Sequence, residues 1–260
     1  MKILEMFSLK DRVALVTGGA GLYGRQIVES LAEAGARTIM ASRDLSKLQK
    51  TADDFAQKGL KNIQAKSLDQ SDESSILRLR DEILKEYGRV DVLVNNAVLR
   101  SAKVDTYDPK GWQLSMLTNV VGLYMMTELF SQPMISQKKG SIINVGSMQG
   151  MIGIDPTLYE GLNMGSKMPD YFFHKGGMIN YTRYMGSVLG RHNVRVNCIS
   201  PGGFFNNQPE AFVKRYNDRT FLGRMAGEQD LKGIIVFLAS DASEYITGTN
   251  IPVDGGYTAK

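Results

Sequence analysis

The chain alternates between short, nearly continuous apolar runs and longer segments whose apolar residues recur at helical spacing. The runs read RVALVTGG, RTIMASR, NIQAKSLD, VDVLVNNA, GSIINVGS, VRVNCISPGG and NIPVDGG. A strand with one face in water alternates apolar and polar positions. Several of these runs do not, so they predict parallel strands covered on both faces by helices. The intervening segments suit the crossovers. GRQIVESLAEAG carries an apolar stripe and ends in glycine, and SSILRLRDEILKEYG repeats that design with a charged outer face. The pattern predicts a doubly wound α/β fold with a parallel sheet of about seven strands. No linker, composition shift or internal repeat divides the 260 residues, so a single domain over 1–260 is expected.

Composition narrows the function classes. Hydrophobic residues make up 43% of the chain, enough for a sizeable core. Lys and Arg exceed Asp and Glu by 31 to 27 and are scattered, so no nucleic-acid partner is expected. The lone cysteine, Cys198, sits inside an apolar run and reads as a buried structural thiol. The opening MKILEMFSLKDRVALV has no long apolar core followed by a small-residue cleavage site, and no uncharged apolar run approaches membrane-spanning length. A cytoplasmic location without membrane contact is expected. No spacing of His, Cys or carboxylates argues for a metal.

The chemistry begins at the first strand-to-helix junction, TGGAGLYG, Thr17 to Gly24. Glycines allow the turn and the close approach of a pyrophosphate, which the free N–H groups and dipole of the new helix favour. Gly18, Gly21, Leu22, Tyr23 and Gly24 are the candidate contacts. At the end of the second run, where an acid would bind the ribose hydroxyls, stand Ser42 and then Arg43. Repulsion of a 2′-phosphate is thereby removed and a partner for it supplied, so NADP(H) is favoured over NAD(H), although Asp44 follows directly. Farther along, DYFFHKGG sets Tyr171 and Lys175 four apart, on one face of a helix.

With NNA at Asn95 to Ala97, Asn119 in LTNVVG, Ser147 in INVGSMQG and NCISPGG, these motifs resemble, in order and over essentially the whole chain, the short-chain dehydrogenase/reductase family and its single-domain branch. That resemblance implies a Rossmann-like fold and a nicotinamide-dependent exchange between a ketone and a secondary alcohol. Tyr171 would be the acid/base that such a reaction needs. The Lys175 ammonium would favour ionisation of a phenol that in water holds its proton to about pH 10. Ser147 would hydrogen-bond the reacting oxygen, and Asn119 would hold a water that links the lysine to solvent. By the same matching, Asp69 and Gln70 would meet the adenine, Asn95 and Ala97 would flank the nicotinamide, Lys175 would grip its ribose, and Pro201, Gly202 and Phe204 would begin the loop along it. The family's pairing of the Tyr171 helix with its neighbour implies a homodimer or homotetramer. Lyase or epimerase chemistry with the same tyrosine, and a nucleotide-binding regulator without turnover, are the competing classes.

The chain departs from the family pattern at three points. Leu22 stands where the middle glycine of the first motif belongs, with Gly21 before it, a spacing that resembles the family's extended branch. Val98 replaces a glycine after NNA. Twenty-three residues, Met148 to Asp170, separate Ser147 from Tyr171 where the family has about a dozen, so a loop insertion at about 150–169 is expected beside the reacting site. Gln149, Tyr159, Glu160 and Asn163 from that loop, with Phe204 and Asn207 from PGGFFNNQPE, are the candidate substrate contacts. They suit a sugar or sugar acid. The opening MFSLKDRVALVTGG resembles gluconate 5-dehydrogenase-like reductases, and the loop's YEG resembles relatives from surface-sugar biosynthesis. His174 and His192 read as structural, and Gly176 and Gly177 suggest the close approach of cofactor or another helix.

Overall fold

The structure, a computed structural model, describes residues 2–101, 106–165 and 168–259. All seven apolar runs are strands: β1 (Val13–Thr17), β2 (Arg37–Ser42), β3 (Ile63–Ser67), β4 (Val92–Asn95), β5 (Gly140–Val145), β6 (Val194–Pro201) and β7 (Asn250–Val253). They form one parallel sheet in the order β3-β2-β1-β4-β5-β6-β7. The helices are α1 (Ile3–Met6), α2 (Leu22–Glu33), α3 (Leu45–Gln57), α4 (Glu73–Tyr87), α5 (Pro109–Met116), α6 (Gly122–Gln137), α7 (Pro169–Leu189), α8 (Glu210–Asn217) and α9 (Lys232–Ala239).

The uninterrupted apolar runs follow from two-sided burial. Ala14 and Val16 of β1 join Ile27 and Leu31 of α2, Phe55 of α3 and Ile235 of α9 in one core layer. Val13 and Leu15 point the other way, against Ile76 and Leu79 of α4, Phe130 of α6 and Met185 of α7. Both parities of the strand are thus apolar, and β1, β4 and β5 are buried along their full length. Asp72 caps α4 through its side chain and Gly88 ends the helix at φ 72°, a left-handed conformation that glycine adopts without strain.

Strand order reverses direction between β1 and β4, and a crevice opens there beyond the strands' C-terminal ends. A third, smaller apolar cluster lies beside it. Met148, Leu158, Phe212, Tyr216, Met225 and Tyr257 join the segment after β5 to α8 and to the chain beyond β7.

Candidate active site

A cleft of about 1010 Å³ runs across the C-terminal edge of the sheet. At one end β1 turns into α2. Gly18 sits at φ 69°, and a Cβ there would lie 2.9 Å from the Ala97 Cα; a Cβ on Gly24 would collide with the Gly18 carbonyl oxygen. These two glycines are required by the protein's own packing. A Cβ on Gly21 would have a single neighbour, the Gly18 oxygen at 3.3 Å, so the chain itself leaves space there. Gly21 is the N-cap of α2, no side chain caps it, and Leu22, Tyr23 and Gly24 also line the cleft, so the first turn presents its N–H groups to an anion. The Leu22 departure is accommodated because that side chain is 52% exposed.

Beyond this turn the wall is formed by Ser42, Arg43, Asp44, Lys47, Asp69 and Gln70. The Asp44 carboxylate is committed to capping α3, accepting from the Lys47 N–H at 2.9 Å and the Ser46 hydroxyl at 2.8 Å, bonds that hold it below the usual carboxylate range. Arg43 and Lys47 are therefore the available charges. Lys47, in the first turn of α3, escaped the sequence reading because no motif marks it; the structure sets it in the same wall as Arg43. Asp69 accepts from the Ser71 N–H at 2.9 Å and hydroxyl at 2.6 Å, and these bonds and the nearby Arg43 keep it ionised to lower pH.

At the other end, α7 carries Tyr171 and Lys175 on one face, with the Lys175 Nζ 5.7 Å from the Tyr171 ring centroid. Both line the cleft with Ser147, Pro201, Gly202 and Phe204. Lys175 is buried and donates to the Val145 carbonyl at 2.5 Å; burial pushes its ammonium below the ordinary value, and the Tyr171 phenol acts in the opposite direction. Ser147 caps a short turn, its Oγ accepting from the Gln149 N–H at 3.2 Å, which leaves the hydroxyl proton free for donation. The Tyr23 hydroxyl donates to the Gly202 carbonyl at 2.7 Å and its ring meets Phe204 edge-on at 5.3 Å, tying the glycine-rich end to the Pro201 loop.

The side chains of two expected site residues are bonded within the protein. By the strand period of two, Asn95 shares the face of Leu93; its amide donates to the side-chain Oδ1 of Asn144 at 2.9 Å in a buried chain that continues to Thr182. Asn96 and Ala97 line the cleft instead, and the Asn96 amide donates to the carbonyls of Thr17 and Gly18 at 2.9 and 3.1 Å. Asn119 lies in a π-helical turn, Leu117–Val121, between α5 and α6. Its side chain clamps the backbone of Leu99, accepting from the N–H at 2.8 Å and donating to the carbonyl at 2.7 Å, and it also donates to the Ser115 hydroxyl at 3.0 Å. The Asn119 side chain is thus committed to positioning the loop after β4.

That loop brings in Arg100, which the sequence reading passed over. Its guanidinium lies 5.0 Å over the Tyr171 ring, and Val98 lines the cleft beside it. His174 is buried, its ring edge-on to Tyr171 at 5.3 Å, and burial pushes its imidazolium down to about 3. It is neutral and faces a small cavity between α6 and α7 instead of the cleft. Cys198 is buried as expected, its thiol pushed up to about 11 by desolvation.

The segment after Ser147 forms one wall. Gln149, Ile154, Asp155, Leu158, Tyr159 and Met164 all line the cleft. Arg219 anchors the wall through Asp155 at 2.6 Å and through the Thr157 hydroxyl, and Arg215 donates to the Glu160 carbonyl at 2.6 Å. Glu160, Asn163 and Asn207 lie outside the lining and are exposed. Tyr159 explains Glu160: the ring packs on Phe212 at 5.5 Å, which turns the next side chain outward. Asn207 follows a cleft residue, Asn206, but sits in a left-handed turn at φ 55°. Ser166 and Lys167, within the expected insertion, lie outside the described residues. Gly150 packs tightly on this part of α7: its added Cβ would lie 2.7 Å from the Lys175 carbonyl carbon, whereas a Cβ on Gly176 would meet only the Gly150 oxygen at 3.5 Å and one on Gly177 nothing within 4 Å.

The space left by Gly21, the uncapped α2 turn, the cations at Arg43 and Lys47 and the Tyr171–Lys175 pair at the far end fit an extended dinucleotide with its nicotinamide beside Tyr171. A family profile described as enoyl-(acyl carrier protein) reductase matches residues 21–258. The 2-dehydro-3-deoxy-D-gluconate 5-dehydrogenase of Dickeya dadantii is 32% identical, covering 99% of this chain and 100% of that one. The 3-oxoacyl-[acyl-carrier-protein] reductase of Thermotoga maritima is 31% identical over 95% of this chain and 98% of its own. A gluconate 5-dehydrogenase from Burkholderia cenocepacia, solved in complex with NADP and tartrate, superposes with a TM-score of 0.86 at 29% identity over the full length of both chains. From its sheet order, its motifs and these full-length matches, the chain belongs to the short-chain dehydrogenase/reductase family and is an NAD(P)-dependent oxidoreductase acting on CH–OH groups.

Proposed function

We propose that the protein interconverts a ketone and a secondary alcohol on a sugar, sugar acid or sugar derivative, with NADP(H) preferred over NAD(H). The observation that carries the reading is one cleft in which Tyr171, Lys175 and Ser147 stand against a wall lined by Tyr159 and Gln149. A bound nicotinamide supplies or accepts the hydride. Tyr171 gives the proton to the carbonyl oxygen during reduction and takes it from the alcohol during oxidation. Lys175 stabilises the negative charge that the phenol then carries, since an ammonium held away from water acts more strongly than one in solvent. Ser147 donates its hydroxyl proton to the reacting oxygen and fixes it beside the phenol.

The preference for NADP(H) is supported by Arg43 and Lys47 and by the commitment of Asp44 to its cap. The carbohydrate reading is supported by relatives named for gluconate derivatives, and by a related structure that held tartrate, a hydroxy acid. Val120, Tyr124, Phe173 and Tyr184 leave apolar surface exposed on the π-turn, α6 and α7, which supports assembly through that face as a homodimer or homotetramer. No helix among the described residues is long and apolar enough to cross a membrane. A lone buried thiol needing no disulfide suits the cytoplasm.

The test is a panel of aldonates, hexitols, ketoses and 3-oxoacyl thioesters with each cofactor, following nicotinamide absorbance. The reading expects NADP-linked turnover of at least one carbohydrate. Turnover confined to 3-oxoacyl thioesters, or none across the panel, contradicts it.

A further inference from the structure

Arg100 is a cation at the Tyr171 end of the cleft that the proton transfer proposed above does not use. Its guanidinium stands 5.0 Å over the Tyr171 ring, and the Lys175 ammonium approaches the same ring to 5.7 Å. Both of its neighbours are bonded: Asn119 clamps Leu99 at its N–H and its carbonyl, and the Ser101 hydroxyl donates to the Gly111 carbonyl at 2.8 Å. Arg100 is therefore held at the cleft by bonds on both of its neighbours.

The electrostatics at this end are incomplete. The charge of Arg100 reaches Tyr159, and it opposes the charged forms of His174 and Lys175. Placing a second cation near a buried ammonium is unfavourable unless an anion joins them. Among the described residues no carboxylate lies within ion-pair distance of Arg100. Asp155 lines the same end of the cleft, but Arg219 takes it at 2.6 Å. A planar guanidinium with free donors matches a carboxylate bidentately, and a single guanidinium neutralises a carboxylate's one negative charge.

We infer that Arg100 binds a carboxylate of the substrate, so that among carbohydrates the enzyme selects hydroxy acids over neutral polyols. This rests on the carbohydrate reading and sharpens it: the acid group would be held over one side of Tyr171 while a carbinol carbon of the same short chain meets the phenol.

The experiment compares wild type, Arg100→Met and Arg100→Lys on gluconate, galactonate and mannonate beside the corresponding hexitols, with NADP+. Arg100→Met is expected to lower kcat/KM for the preferred aldonate about 10- to 100-fold, mainly through KM, and to lower hexitol turnover by a clearly smaller factor, with Arg100→Lys recovering part of the aldonate loss. An equal loss on acids and hexitols would mean that Arg100 acts on Tyr171 alone and overturns the inference, as does an unchanged KM for every acid. Calorimetric titration of the NADP-loaded protein with the aldonates separates this from failure of the redox reading. Binding that Arg100→Met abolishes supports the inference even without turnover. Equal binding to both proteins, or none to wild type, contradicts it.

Discussion

The two ends of the cleft are built by different means. The dinucleotide end is made by backbone: strand ends, the uncapped first turn of α2 and glycines whose missing Cβ atoms the chain's own packing demands. The substrate end is made by side chains that meet across long stretches of sequence, Arg215 and Arg219 of α8 and the segment after it reaching back to Asp155, Thr157 and Glu160, and Asn119 reaching back to Leu99. Backbone geometry tolerates little variation, whereas a wall held by side chains can change without disturbing the sheet. One end can therefore serve a common cofactor while the other is altered for each substrate.

Substitutions can break that division at either end. The largest effect is expected at the point where the two ends meet: Lys175→Met should lower kcat by about a thousandfold, because the phenol loses its stabilising cation, and should weaken NADPH binding as well, measured by fluorescence titration. At the cofactor end, Arg43→Ala combined with Lys47→Ala should weaken NADPH about a hundredfold and leave NADH within about threefold; equal losses for both would remove the 2′-phosphate reading. Gly24→Ala should cost about 2 kcal/mol in a denaturant melt, since its Cβ meets backbone. Gly21→Ala should leave the melt nearly unchanged and weaken cofactor binding, which separates a glycine needed by the fold from one needed by the ligand. The smallest effect is expected at the substrate wall. The Asp155–Arg219 pair is partly exposed, so Arg219→Ala should raise substrate KM only about three- to fivefold with cofactor affinity intact.

The same division marks what could be read in the sequence. All seven strands and the residues of the glycine-rich turn follow from local pattern, because burial on both faces and positive φ leave local traces in Val13–Thr17 and Gly18. Asn95 was legible only in part. NNA marks the edge of the site, but assigning the cleft to Asn96 requires the strand's parity, which Leu93 and Val94 carry. At the substrate end the loop's position could be read and its inner face could not. Glu160 and Asn163 differ from Tyr159 and Leu158 only in which of them packs on Phe212 and Tyr216, about fifty residues away. Arg100 left no local signature, since its place depends on the π-helical turn that brings Asn119 to Leu99.

The central claim is that the phenol of Tyr171 moves the proton that accompanies hydride transfer. Its most direct test is Tyr171→Phe, measured in one set of samples for turnover of the best carbohydrate substrate and for NADPH affinity. A fall in kcat of about three orders of magnitude, with NADPH affinity within about threefold, is the result predicted. Turnover within tenfold of wild type would contradict it.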